Sequence, residues 1–242
     1  MMDFTDISMQ VENFIVTLTP DVWGVADLTH SRSWLRQEYG CLWDDYPRAI
    51  SLGVFFPRQV VNDLLDGPTH TYLRYYDVLN SRLDDMACRL ANFLERQGEK
   101  SFPVPASQRL GEDKLASLFS HRLAARLAGL GWIGKNSCLI HPEVGPRLRF
   151  ATVLTNAPLP AGTPLESHCP EGCHACRDIC PAGAIQGVPF AAGQPLSQRL
   201  DAAACAAWLA ETRHSFGKQI CGRCVAVCPT GRLTPPVAYQ NG

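Results

Sequence analysis

The chain has 242 residues, enough for one mid-sized core or for one core plus a small appended domain. Its formal charge is −1, from 22 basic and 23 acidic residues, so there is no global basic field to attract nucleic acid and no acidic tail. Hydrophobic residues make up 46 % and mean hydropathy is near zero, which reads as a soluble globular chain. No uninterrupted run of about eighteen apolar residues is present, so no membrane span is expected. Met1 to Gln10 lacks the basic-then-apolar pattern of a signal peptide, and the expected location is the cytoplasm.

The first expected element is a helix over residues 5–18, where Ile7, Val11, Phe14, Ile15 and Leu18 share one face. Residues 22–26 suggest a short strand. Residues 31–39 read as a helix started by Ser31. The run 49–56 (AISLGVFF) predicts a buried strand ended by Pro57. The strongest helix follows, with Tyr72, Tyr76, Leu79, Leu83, Met86, Leu90 and Phe93 recurring at spacings of three and four until Gly98. A short strand is expected over 102–104, and a helix from a Ser120 cap to Leu130. Residues 138–141 and 148–155 read as strands. The Pro- and Gly-rich stretch 157–167 marks a domain boundary. The expected organisation is an α+β sandwich over residues 1–157 and a cysteine-dense domain over 158–242.

Eleven cysteines are many for a cytosolic chain, where disulfides are disfavoured and clustered thiols more often bind metal. Eight of them lie between Cys169 and Cys228. Cys169, Cys173, Cys176 and Cys180 have the spacing C-x3-C-x2-C-x3-C-P. Cys205 is followed by Cys221, Cys224 and Cys228, which repeat C-x2-C-x3-C-P. A tight C-x2-C loop turns two sulfurs inward, and the cysteine three residues on faces away and ligates the other cluster, as in two-cluster ferredoxins. The expected assignment is therefore two 4Fe–4S clusters, one on Cys169, Cys173, Cys176 and Cys228, the other on Cys180, Cys205, Cys221 and Cys224. Two zinc sites or a disulfide framework are the competing readings. Zinc has no need of the repeated x3-C-P ending, and the compartment disfavours disulfides. Cys205 is the ligand with the weakest signal, since 15 residues separate it from Cys221 and a helix over 201–209 would bury it. Cys41, Cys88 and Cys138 read as small buried hydrophobes.

The segment GLGWIGKN (129–136) is a helix stop followed by a loop whose backbone can approach a ligand closely, or simply a tight structural turn. Its glycines follow a helix, not a strand, so it is no dinucleotide fingerprint. Together with PVPAS (103–107), HPEVGPR (141–147), the TVLT strand (152–155), YLRYYDVL (72–79) and the double cysteine motif, it resembles the epoxyqueuosine reductase family, with a looser likeness to reductive dehalogenases. That resemblance implies a nitroreductase-like or cobalamin-processing-like sandwich followed by a two-cluster ferredoxin-like module. It implies cobalamin bound against the sandwich, with electrons passing from an outer to an inner cluster and on to cobalt. A small carrier such as a ferredoxin or flavodoxin would be the donor. Ser107, Gly129, Gly131, Trp132, Gly134, Lys135 and Asn136 would line or support the corrinoid pocket.

Two departures separate the chain from that family. The V-D-T motif that supplies the family's proton-donating Asp is missing, and His121, Tyr75 or Tyr76 would have to replace it. The C-terminal helical repeat domain is also missing, which argues against a tRNA substrate. Three functions follow as expectations. The first is a corrinoid-dependent reductase of a small molecule. The second is an electron-transfer or activator protein without substrate chemistry of its own. The third is a binding module in which the clusters are structural.

Overall fold

A four-stranded antiparallel sheet is the centre of the first part of the fold, in the order β1 (Val22–Asp27), β2 (Arg48–Phe55), β6 (Leu148–Thr155), β3 (Ser101–Val104). The computed structural model describes residues 4–32, 35, 44–107 and 118–231. The eight-residue strands β2 and β6 pair along their full length, Arg48 opposite Thr155 and Phe55 opposite Leu148. Ala49 to Val54 are all buried, because helices cover a strand that is apolar on both faces.

Those helices follow from the periodicity. Helix α1 (Phe4–Leu18) turns Val11, Ile15 and Leu18 inward. Helix α3 (His70–Arg96) buries Leu79, Leu83, Met86, Leu90 and Leu94 at spacings of three and four. Phe14 of α1 stacks on Phe93 of α3 with ring centroids 4.2 Å apart. Each fully buried Leu of this core contributes on the order of 2 kcal/mol. Helix α4 (His121–Leu127) packs on β1, β2 and β6, and the Ser120 hydroxyl accepts from Leu123 N at its start. The chain leaves α4 at Gly129, in the left-handed region at φ +77°, where a Cβ would stand 2.6 Å from the carbonyl oxygen of Thr163.

The chain divides into two units. One is Met1–Phe55, Tyr75–Trp132 and Leu148–Ser167, and the other is Phe56–Arg74, Ile133–Arg147 and His168–Gly242. The second is built from short pieces. These are α2 (Arg58–Asn62), a hairpin of β4 (Trp132–Ile133, whose Trp132 is the last residue of its segment of the first unit) and β5 (Leu139–Ile140), the single turns α5 (Ala175–Asp178) and α7 (Arg223–Ala226), and α6 (Ala202–Phe216). Asp201 caps α6 through Ala204 N, and Gly217 ends it in the left-handed region.

The expected elements over 5–18, 22–26, 49–56, 72–93, 102–104 and 148–155 correspond to α1, β1, β2, α3, β3 and β6. The helix expected over 31–39 lies mostly outside the described residues, as does Cys41. The single turns α5 and α7 leave no signal in the sequence, since four residues are too few to establish a period. Cys88 is a correction: it is exposed on α3, where Asn92 approaches its sulfur at 3.6 Å, and not part of the core.

Candidate metal centres and active site

The ten cysteines among the described residues are all free thiols. Their mutual influence sorts the eight clustered ones into two sets. Burial pushes Cys176 up to about 11, and the thiolate charges of Cys173 and Cys169 add to it. Burial also pushes Cys228 up to about 11, with further upward pushes from Cys169 and Cys176, while Thr230 donates to its sulfur and pulls the other way. Cys169, Cys173, Cys176 and Cys228 therefore lie within electrostatic reach of one another. Cys205 is raised by burial and then by Cys180, Cys221 and Cys138. Cys224 is raised first by a hydrogen bond with Cys138, then by burial, then by the charges of Cys138, Cys221 and Cys205. Cys180, Cys205, Cys221 and Cys224 make the second set. In each set one cysteine comes from the other sequence motif.

Like charges this close in a buried loop do not ionise together unless something positive neutralises them. A metal centre does so by taking the thiolates as ligands. Among the described residues no three His, Cys, Asp or Glu side chains close on a point that one metal ion would fill. A cubane carries its irons at separate corners, so its four ligands stand apart.

Local structure explains how the loops turn. Turn α5 carries Cys176 and leads to Cys180, whose N–H donates to Arg177 O at 3.2 Å. Turn α7 carries Cys224, and Val225 N and Ala226 N both donate to Gly222 O. Helix α6 supplies Cys205, and Cys205 N closes its first turn on Asp201 O at 3.1 Å.

The hairpin turn 134–137 holds both loops. Gly134 N donates to Cys138 O at 2.9 Å, and Ser137 N to Gly134 O at 2.8 Å. Lys135 is buried, and its Nζ donates to the carbonyls of Pro170 (2.9 Å), Glu171 (2.8 Å) and Cys173 (3.1 Å). Asn136 Nδ2 donates to Cys224 O at 3.1 Å, and its Oδ1 accepts from Cys138 N at 3.1 Å. Cys138 is thus a member of the second thiol group and not an isolated buried hydrophobe. Sequence spacing gave no signal for it, because the contact is made across the fold.

The sheet unit has a separate polar cluster. Tyr76 OH lies 3.2 Å from Ser107 Oγ, and the Arg149 guanidinium sits 4.2 Å over the Tyr76 ring. Arg149 also donates to Asn80 Oδ1 (2.9 Å) and Ala106 O (3.2 Å), while Asp84 accepts from Ala106 N at 2.8 Å. His121 Nε2 is 2.9 Å from Pro105 O, and Nδ1 is 2.8 Å from Thr152 Oγ1. A carbonyl only accepts, so Nε2 carries the proton and Nδ1 takes the Thr152 hydroxyl. Burial pushes His121 down to about 4, with Arg149 and Arg122 adding to it against the Pro105 bond. The ring is neutral at pH 7, and both nitrogens are engaged, Nε2 with the 105–107 segment and Nδ1 with Thr152 on β6. Tyr75 lies one residue from Tyr76 on α3 and is 39 % exposed. Of the three candidate proton donors, Tyr76 is the one placed beside Ser107. Trp132 is buried at the start of β4, and Gly131 immediately precedes it, four residues after the end of α4.

An antiparallel-sheet unit, together with a second unit of paired cysteine loops, defines a mixed α/β class of the kind found in two groups of solved reductases. Among solved structures, a catabolic reductive dehalogenase bound to 3-bromo-4-hydroxybenzoic acid matches 96 % of this chain and 33 % of its own, at TM-score 0.72 and 17 % identity. An epoxyqueuosine reductase with an epoxyqueuosine-modified tRNA-Tyr stem loop matches 95 % of this chain and 66 % of its own, at TM-score 0.60 and 22 % identity. At these identities the likeness is one of fold.

In sequence the chain is similar to epoxyqueuosine reductases. It is 39 % identical to that of Bacillus cereus over 124 residues, 47 % of this chain and 30 % of the relative. It is 30 % identical to that of Pseudomonas aeruginosa over 179 residues, 69 % of this chain and 44 % of the relative. The chain thus spans less than half the length of these relatives. No protein-family model matches it. No helix among the described residues is long and apolar enough to cross a membrane.

Proposed function

We propose that this protein is an iron–sulfur oxidoreductase of the epoxyqueuosine reductase type, in which two 4Fe–4S clusters feed electrons to a reductive reaction in the sheet unit. The observation that carries the reading is the sorting of eight thiols into two sets of four, each completed by a cysteine from the other motif. Neither zinc nor a ferredoxin loop standing alone requires that exchange. The first cluster takes Cys169, Cys173, Cys176 and Cys228, and the second takes Cys180, Cys205, Cys221 and Cys224. Bound iron supplies one-electron transfer at potentials set by the loops around it.

Electron transfer is the work of the segment 158–242 with the hairpin at 132–140, and the reaction belongs to the sheet domain within 1–157. The reacting group there would be a corrinoid, on the likeness of fold to a solved reductive dehalogenase whose structure suggests a mechanism for B12-dependent dehalogenation. It would supply a metal centre able to deliver electrons to a carbon substrate. Ser107 and Trp132 stay as its candidate contacts. Lys135 and Asn136 are assigned to the cysteine loops, where their polar atoms are already engaged. At Gly129 the space a side chain would take is filled by the chain itself at Thr163, so that glycine answers to packing. Tyr76 is the proposed proton donor, with Ser107 and Arg149 holding its hydroxyl and ring. The substrate is a small molecule, and the electron donor is a ferredoxin or flavodoxin in the cytoplasm.

Anaerobic purification followed by titration with hydroxocobalamin tests this. Saturable binding with a spectral shift, and reduction of the bound corrinoid through the clusters, is expected. Iron and sulfide near eight per chain without any corrinoid binding would leave the second reading, an electron-transfer or activator protein. Two zinc ions and no iron would remove the proposal altogether.

A further inference from the structure

We infer that Lys135 is a positioning residue for the first cluster: by holding the carbonyls of Pro170, Glu171 and Cys173 it aims the N–H groups of that loop at the cluster and sets its reduction potential. This rests on the proposed assignment of Cys169, Cys173, Cys176 and Cys228 to one cluster. In the first motif Cys169 and Cys173 are joined by C-x3-C, one residue longer than the C-x2-C turn that follows it and that the second motif repeats. An added residue gives the loop freedom that a tight C-x2-C turn lacks. The three carbonyls Lys135 engages all lie in that enlarged loop, at 2.8 to 3.1 Å.

The peptides involved are trans, so each N–H points away from its own C=O. Fixing the carbonyls of residues 170, 171 and 173 on one ammonium therefore turns the N–H groups of Glu171, Gly172 and His174 to the opposite side. Only Cys173 N is tied back within the loop, to Pro170 O at 3.0 Å. Oriented N–H donors directed at cluster sulfurs stabilise the more negative, reduced state and raise the potential.

Charge points the same way. Lys135 is 4 % exposed, and its Nζ spends all three donors on neutral oxygens. Among the described residues no carboxylate pairs with it. A buried ammonium with only neutral partners is costly unless a negative group lies near. Four thiolates around an iron–sulfur core provide that group, and their attraction to the ammonium grows as the cluster takes an electron. Asn136, the next residue, makes the corresponding hold on the second loop through Cys224 O. Asn136 carries no charge, and the three carbonyls that Lys135 holds all lie on the first loop, so the main effect of Lys135 on potential is at the first cluster.

The test compares the full chain with Lys135→Met and Lys135→Arg, purified anaerobically with clusters. Redox titration is followed by electron paramagnetic resonance, with the two signals assigned by a Cys224→Ser variant lacking the second cluster. Lys135→Met is expected to lower the reduced-to-oxidised ratio of the first cluster about tenfold at fixed poise, a shift of about 59 mV for a one-electron couple. The second signal should not move, and Lys135→Arg should recover most of the ratio. Loss of iron from the first cluster alone in Lys135→Met, restored in Lys135→Arg, also supports the role. An unmoved first-cluster potential at full iron content overturns it. So do equal losses from both clusters in the two variants, since that pattern means packing only. A wild-type chain without about eight irons defeats the cluster assignment itself and is read separately.

Discussion

The crossed pairing of the two cysteine motifs predicts a specific pattern of non-additivity. Cys228 closes the second sequence motif, yet its thiol faces Cys169 and Cys176 of the first. Replacing Cys228 with Ser should therefore remove the same cluster as replacing Cys176 with Ser. With four irons per cluster, the wild type holds about eight per chain and each single variant about four. The double variant Cys176→Ser/Cys228→Ser should also hold about four, because both changes strike one cluster. The pair Cys224→Ser/Cys228→Ser, two cysteines of one motif only four residues apart, should hold about none. Uncrossed ligation predicts the reverse: about none for the first pair and about four for the second. Iron and sulfide content after anaerobic purification reads the outcome directly. Circular dichroism on the same samples establishes that the sheet unit stays folded. A first pair with no iron alongside a second pair with four would refute the sorting of the thiols.

Burial penalises the charged form of His121 and pushes it down to about 4 in the folded protein, below the ordinary value of about 6.5 that it regains on unfolding. Its contribution to stability is therefore complete above pH 6.5 and is lost as pH falls toward 4, where the unfolded chain binds the extra proton. The loss amounts to about 3 kcal/mol at full extent. Chemical denaturation of wild type and His121→Gln at pH 7 and pH 5 should show a larger acid-dependent drop in the wild type, the remainder in the variant coming from groups such as His141, and equal drops would refute the assignment. Gly145 sits in the left-handed region at φ +63°, with the carbonyl oxygen of Thr230 2.0 Å from where a Cβ would stand. Thr230 follows Cys228 by two residues and donates to its sulfur. Gly145→Ala should destabilise the chain by about 1–3 kcal/mol and lower iron content toward four per chain. Unchanged iron content would mean that the Thr230 turn does not support Cys228.

The sequence by itself determined the elements with a period and the residues with a spacing. Helices α1 and α3 and strands β2 and β6 are long enough for their apolar rhythm to identify them. The two C-x2-C-x3-C-P repeats are local patterns that need no fold to be recognised, and the segment 128–147 carries the likeness to epoxyqueuosine reductases on contiguous residues. Only the tertiary structure decided what those residues meet. The x3-C spacing already assigned Cys228 to the set of Cys169, Cys173 and Cys176, and what the chain path adds is the nearness of its thiol to Cys169 and Cys176. The hairpin carrying Lys135, Asn136 and Cys138 read as a ligand loop or a plain turn. In three dimensions its polar atoms are spent on cysteine loops 35 to 88 residues away in sequence. In the sequence His121 is one of three candidates to replace the missing acid, but the fold closes Thr152 and Pro105 on its two nitrogens and leaves it neutral. Each of these differences has the same cause. A hydrogen bond or a thiol–thiol approach depends on separation in space, and loops without a period leave no trace of that separation in the order of the residues.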